Sequence, residues 1–322
     1  MAFLGNLAAY LPSRVVTNDE MARMVGCDAE WIRTTSGIES RRVAAADESV
    51  VDLAVAAGRK CLSAAASPIG LVIVASGTAD RRFPGPATRV AHALDLGTIP
   101  AIDLGMPSAG GLIGIALASQ LADHHGDVLV VAAEKMSGVV SKEGTNPQVA
   151  VLFGDGAGAC IVSSRGGAAR IVDSALYSDG TFDAALHLGF SEPMVMDGRT
   201  VIMQAARKMP QAIVDILQKH NTPRDSVGAF LIHQANQNLT TQVAKAVGVP
   251  ADKFFSNVGR YGNTSSASLL IAAAEWSEET GFEPGVPVVL AAFGAGLHWG
   301  AVLVVGHGPA VSAQRGTGSD VR

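Results

Sequence analysis

The sequence predicts an α/β fold in which β-sheets are covered by helices. Three observations carry that expectation. The chain has 322 residues, 48% of them hydrophobic and 16% charged, which is enough apolar material for a large core. Short apolar runs of strand length alternate along it with longer stretches of helical period. No apolar run reaches about 18 residues without Gly, Pro or a charge, so no membrane-spanning segment is expected.

The elements follow in order. Residues 1–11 are apolar, but no basic residues precede them, so a strand closing at Pro12 fits better than a signal peptide. Residues 70–76 and 128–134 read as buried strands. Between them, residues 109–122 are apolar almost all round, as in a helix buried inside a large fold. The second half repeats the style. Residues 227–232 are strand-like and residues 237–247 form an amphipathic helix. Residues 288–292 and 300–305 suit a hairpin joined by a Gly-rich loop, with Pro287 at a strand start. Residues 308–322, rich in Ala, Ser, Gly and charge, read as a disordered tail.

Composition bounds the function. The formal net charge is -5, which gives no general attraction to nucleic acid or anionic membrane. Cys27, Cys61 and Cys160 are odd in number and lack CxxC or zinc spacing. Reduced, buried thiols and a cytoplasmic setting are expected, with no metal site.

Chemistry concentrates in a few motifs. Ser108 lies in Asp103-Leu104-Gly105-Met106-Pro107-Ser108-Ala109-Gly110-Gly111, between a turn and the long apolar helix. Free N–H groups and the positive end of the helix dipole face that position. A cysteine there ionises readily, whereas a serine needs an adjacent base. The plainer reading of Ser108 is a helix N-cap. His233 opens His233-Gln234-Ala235-Asn236 at the end of a strand-like run, and Asn263 lies in Gly262-Asn263-Thr264-Ser265. The core ends in Phe293-Gly294-Ala295-Gly296-Leu297-His298-Trp299-Gly300, where glycines let backbone amides approach a substrate. His298 is expected as a hydrogen-bonded structural residue, with a second base or pocket wall as the alternative. Residues 153–159 contain GxGxG without the context of a nucleotide site, and are expected to be a structural turn. Asp103 is expected to be a buried structural carboxylate near the site.

Taken together and in this order, the Ser108, His233, Asn263 and terminal Gly-rich motifs resemble β-ketoacyl-acyl carrier protein synthase III, a condensing enzyme of the thiolase superfamily. The resemblance runs from about residue 3 to residue 306, with serine where the family carries its nucleophilic cysteine. It implies a thiolase-like five-layer αβαβα fold built from two similar halves. The polar turn Ser163-Ser164-Arg165-Gly166-Gly167 suggests a division into residues 1–165, carrying the nucleophile position, and 166–307, carrying the His and Asn.

The resemblance also implies roles. Ser108, His233 and Asn263 are the expected catalytic residues. His233 and Asn263 would donate hydrogen bonds to the thioester carbonyl of a malonyl donor as carbon dioxide leaves. The N–H groups of Ser108 and Ala295 would form the oxyanion hole. Trp31, Phe83, Ile202 and His298 are the expected substrate-binding positions, Trp31 matching a tryptophan that stacks on the adenine of coenzyme A. The family's opposing arginine falls near Pro147, and a second basic position reads Thr35. The arginine that docks acyl carrier protein reads Asn238, with Lys245 on the same helix. Phe83-Pro84 matches a segment that crosses a dimer interface. Acyl-CoA as substrate, no resident cofactor, a homodimer and a weakened carrier-protein dock are thus implied.

The expected function is an acyltransferase that takes an acyl group from acyl-CoA onto Ser108 and passes it to an acceptor in a specialised polyketide or fatty-acid-like pathway. An oxygen ester is a poorer electrophile than a thioester, so transfer to a hydroxyl, amine or thiol suffers less than carbon–carbon bond formation. His233 is the first candidate base and His298 the second, which predicts acylation falling as pH drops through about 6.5. One alternative is a non-covalent malonyl decarboxylase using His233 and Asn263. Another is a non-catalytic partner subunit of a ketosynthase dimer, against which the retained donors argue.

Overall fold

The computed structural model describes residues 1–63, 65, 67–189 and 192–308. Apart from Gly308, the expected tail lies outside the described residues.

The apolar runs become strands buried on both faces. In Ile69–Ala75, Leu71, Ile73 and Ala75 enter one core cluster while Val72 and Val74 enter another. In Pro287–Gly294, Val288, Leu290 and Ala292 face that same first cluster, and Val289, Ala291 and Phe293 face a third. Side chains alternate across a strand, so a run apolar at every position must be covered twice.

The covers are helices. Gly110–His125 and Ser268–Glu279 fill the shared central cluster. Val50–Leu62 and Pro86–Ala93 cover the outer face of the N-terminal strands. Gly198–Lys219 and Gln237–Val247 cover the outer face of the C-terminal strands. Helix, sheet, helix, sheet, helix is the resulting order of layers, with the paired central helices explaining why residues 109–122 are apolar all round.

Among the described residues, ten strands form one sheet, and its order repeats. The N-terminal five are Ala2–Tyr10, Ile69–Ala75, Ala101–Leu104, Asp127–Lys135 and Asp155–Ser163. Taken as first to fifth, they lie in the order first, fifth, fourth, second, third. The C-terminal five, Ala169–Ser178, Ala229–Ile232, Phe254–Phe255, Pro287–Gly294 and His298–Gly306, lie in the same order. In both sets the first and fifth, and fifth and fourth, pair antiparallel, and the remaining pairs are parallel. The two first strands join the sets through Ala2, Phe3 and Leu4 alone. Pro287 does start its strand, and the last two strands form the expected hairpin.

Two local expectations are corrected. The GxGxG segment is not a turn: Phe153 bridges to Asn263, and Asp155–Ser163 is a fully buried strand. Its glycines serve packing: a Cβ on Gly158 would lie 2.5 Å from Leu270 Cβ, so only glycine lets the helix Ser268–Glu279 lie on that strand. Asp103 is exposed on the edge strand Ala101–Leu104, not buried. It accepts the Ala87 N–H at 2.7 Å, holding the start of the helix Pro86–Ala93.

All three cysteines are free, Cys61 and Cys160 buried and Cys27 half-buried. Burial pushes the Cys61 thiol up to about 12, which makes it inert at neutral pH. No described helix is long and apolar enough to cross a membrane.

Candidate active site

The helix Gly110–His125 takes Ala109 as its N-cap, with no side-chain cap. Ser108 therefore does not cap the helix, contrary to the plainer reading. It stands one residue earlier with φ 64°, a left-handed backbone that is uncommon for serine and marks a tight elbow. Its N–H donates to Ser265 Oγ at 3.1 Å, while its hydroxyl has no hydrogen-bond partner among the described residues. The N–H named for the oxyanion hole is thus already engaged.

The Gly-rich loop packs directly on this elbow. A Cβ on Gly294 would lie 2.1 Å from the Pro107 carbonyl oxygen and 3.0 Å from Ser108 Cβ, so the approach requires glycine. It brings Ala295 to the wall of a cavity it shares with Ser108, and the Ala295 N–H has no partner among the described residues.

His233 follows the strand Ala229–Ile232, and its N–H donates to the Ala291 carbonyl at 2.9 Å. The ring is buried, with Nδ1 2.5 Å from Ser268 Oγ. Ser268 Oγ also accepts the Gln234 N–H at 3.1 Å and has no other acceptor in reach among the described residues, so its own proton goes to Nδ1. That assignment leaves the proton of the neutral ring on Nε2. Burial lowers the His233 pKa to about 4, so the ring is neutral at pH 7 and donates from Nε2.

Asn263 is clipped by its backbone. Its N–H donates to the Leu152 carbonyl at 2.8 Å and its carbonyl accepts from Gly154 N–H at 3.1 Å. Its Oδ1 accepts the Ser265 N–H at 2.9 Å, which assigns the remaining amide nitrogen as the available group. Ser108, His233 and Asn263 line one cavity together with Phe153, Ile202, Ala205 and Leu239. A second cavity, which Ser108 also lines, is walled by Thr78, Met136, Leu186, Leu188, Met194, Ser265 and Ala295, and it is almost wholly apolar.

Other expected positions fall elsewhere. His298 lines neither cavity: its Nδ1 is 2.7 Å from Ser178 Oγ, and its ring fills the space beside Gly296. No hydrogen bond joins Ser108 to either histidine. Trp31 lies in the helix Ala29–Ser36 and packs half-buried beside Val16, Met21 and Ile32, away from both cavity walls. Phe83 is 85% exposed, which excludes a core role within one chain. Asn238 donates to the Thr35 carbonyl at 2.7 Å, tying the helix Gln237–Val247 to the helix Ala29–Ser36. Pro147 begins the short helix Pro147–Ala150 behind an Asn146 cap.

Sequence reasoning missed three side chains. Ser265 and Ser268 were visible only as small polar residues after Asn263. Glu134 was visible as the charge that ends an apolar strand, yet it is fully buried with no cation in salt-bridge range among the described residues. Its carboxylate accepts from Gly77 N–H at 3.0 Å, Thr78 Oγ1 at 2.6 Å and Ser266 Oγ at 2.7 Å. It thereby ties the wall of the apolar cavity to the segment that carries Asn263.

Comparison with known proteins agrees with this geometry. Residues 102–180 match the family model 3-oxoacyl-(acyl-carrier-protein) synthase III, and residues 217–305 match the model of its C-terminal part. A β-ketoacyl-(acyl-carrier-protein) synthase III of Geobacillus kaustophilus is 36% identical over 92% of this chain and 96% of its own length. The chain belongs to the synthase III family.

Solved synthase III structures share the fold. That from Aquifex aeolicus superposes with a TM-score of 0.90 at 31% identity, covering 95% of this chain and all of its own. That from Thermus thermophilus gives 0.89 at 32% identity, covering 95% and 99%. The priming β-ketosynthase of the R1128 polyketide pathway gives 0.87 at 29% identity, covering 96% and 97%. This synthase III family member is accordingly a condensing-type transferase, and Ser108 stands at the elbow that leads into its central helix Gly110–His125.

Proposed function

We propose that this chain is an acyltransferase that takes an acyl group from acyl-CoA onto Ser108 and passes it to an acceptor, within a polyketide or fatty-acid-like pathway. One observation carries the reading. A serine oxygen and two neutral donors, His233 Nε2–H and the Asn263 amide nitrogen, line one cavity, and each donor has its other heteroatom already engaged. Two such donors suit a thioester carbonyl that gains negative charge as a malonyl group loses carbon dioxide. The apolar cavity beyond Ser108 suits an acyl chain.

In the first step Ser108 Oγ attacks the thioester carbonyl. The carbon–sulfur bond breaks, and coenzyme A leaves as a thiol bearing the serine proton. His233 is a poor recipient for that proton, since its Nε2 is already protonated and its pKa is near 4. The acyl ester then favours a hydroxyl, amine or thiol acceptor over a carbon nucleophile. Coenzyme A enters as a substrate, and no resident cofactor is part of this reading. An acyl carrier protein remains a partner, docked without the arginine that Asn238 replaces. Two copies of the chain pair with Phe83 at their interface, in the cytoplasm.

A second reading is a malonyl decarboxylase that never acylates Ser108. The absence of any base on the Ser108 hydroxyl among the described residues favours it. Intact-protein mass spectrometry after incubation with a panel of acyl-CoAs separates the two. The first reading expects an acyl adduct that Ser108→Ala abolishes. An unmodified wild-type chain that still releases carbon dioxide from malonyl-CoA, and stops doing so in Asn263→Ala, establishes the second reading instead.

A further inference from the structure

We infer that Ser265 is a hydroxyl donor to the oxyanion formed at the acyl carbon, in the place that the Ser108 N–H would otherwise take. The inference rests on the acyl-transfer reading above. Ser265 is 1% exposed and lines the apolar cavity with Ser108 and Ala295. Its φ of 49° lies in the left-handed region, a conformation that serine holds only where its surroundings enforce it. The enforcing bond is its own N–H to Asn263 Oδ1 at 2.9 Å.

The hydrogen-bond count then singles out one proton. Ser265 Oγ accepts the Ser108 N–H at 3.1 Å, which uses a lone pair and leaves the hydroxyl proton free. No acceptor for that proton lies within hydrogen-bond distance among the described residues. A buried donor without an acceptor is costly, and a substrate oxygen beside Ser108 relieves the cost. Accepting an N–H also polarises the hydroxyl, so the donor strength of the Ser108 amide is passed on through Ser265 rather than lost. The Ala295 N–H, likewise unpartnered, is the second donor. As Ser108 Oγ bonds to the carbonyl carbon, the carbonyl oxygen takes up the electron pair and accepts from both. The pair returns as the carbon–sulfur bond breaks and the thiol departs with the serine proton.

Glycine adopts a φ of 49° without strain, so Ser265→Gly removes the hydroxyl while relaxing the backbone and preserving the fold. Single-turnover acylation by decanoyl-CoA, read by intact mass, is expected to slow about 10²-fold in both Ser265→Gly and Ser265→Ala. The decanoyl-CoA concentration at half-saturation should hardly change. A rate equal to or above wild type overturns the inference, because the released Ser108 N–H would then suffice by itself. A second measurement needs no turnover. Decanoate presents a negative oxygen to the same donors, and calorimetry should show about tenfold weaker binding to Ser265→Gly. Unchanged decanoate affinity overturns the inference whether or not an adduct forms. Weakened decanoate binding in a chain that never acquires an adduct removes the acyl-transfer reading and leaves Ser265 as the anion donor.

Discussion

An oxygen at position 108, where the resemblance expects a sulfur, changes what the elbow needs from its neighbours. A thiol there ionises with the help of the helix dipole, while a hydroxyl does not. Ser108→Cys should accordingly acylate faster, by on the order of tenfold or more, and shift the products toward condensation. Equal acylation rates for the two chains, measured by intact mass, would reject that view of the elbow. His233 sets a different dependence. Its folded pKa of about 4 lies below the unfolded value near 6.5, so its burial contributes stability in full above pH 6.5. That contribution is lost as pH falls from 6.5 through 4, by roughly 3 kcal/mol in total. Urea unfolding of wild type and His233→Gln at pH 7 and pH 4.5 tests this: the stability gap should narrow at the lower pH, and a gap that stays constant contradicts it. The pH 6.5 midpoint expected for a histidine base gives way to this lower range because the ring is buried.

Strands and loops meet at Glu134, the end of Asp127–Lys135. Its carboxylate joins the Ser76, Gly77 and Thr78 loop of one half to Ser266 of the other. Buried donors left without an acceptor cost about 1–3 kcal/mol each, more than an average hydrogen bond contributes. Glu134→Gln keeps the volume but points an amide nitrogen at groups that are themselves donors. A loss of about 2 kcal/mol is expected in chemical denaturation, and a larger one for Glu134→Ala. A glutamine chain as stable as wild type would mean that the charge does not organise these loops. Asn238, where the resemblance expects a docking arginine, bonds the helix Gln237–Val247 to the helix Ala29–Ser36 through the Thr35 carbonyl.

At the scale of the molecule, the repeated strand order brings two corresponding helices together at the centre, and the site forms where their segments meet. The N-terminal half supplies Ser108 and the C-terminal half supplies His233 and Asn263. Phe83, 85% exposed in the single chain, is a poor fit to solvent. It agrees with pairing of two copies through that region. Sedimentation at micromolar concentration should give the mass of a dimer, and Phe83→Ser should weaken it. A monomeric wild-type chain removes this proposal.

Most elements were legible because their signals are local. An apolar run at every position requires a strand or helix covered on all sides, and Ile69–Ala75, Asp127–Lys135 and Gly110–His125 all met that requirement. The identities of Ser108, His233 and Asn263 were legible as motifs in a fixed order. What a residue does with its hydrogen bonds was not, because partners come from distant segments. Ser265 lies 157 positions from Ser108, and Ser268 lies 35 from His233. Only folding decided that the Ser108 N–H is engaged and that His233 is a neutral donor. The same cause moved Asp103 to an exposed edge and the GxGxG glycines into a packed strand. Sequence determined which groups this chain possesses and the layers that bury them. Tertiary structure decided which protons remain free, because burial and long-range partners settle where a proton can go.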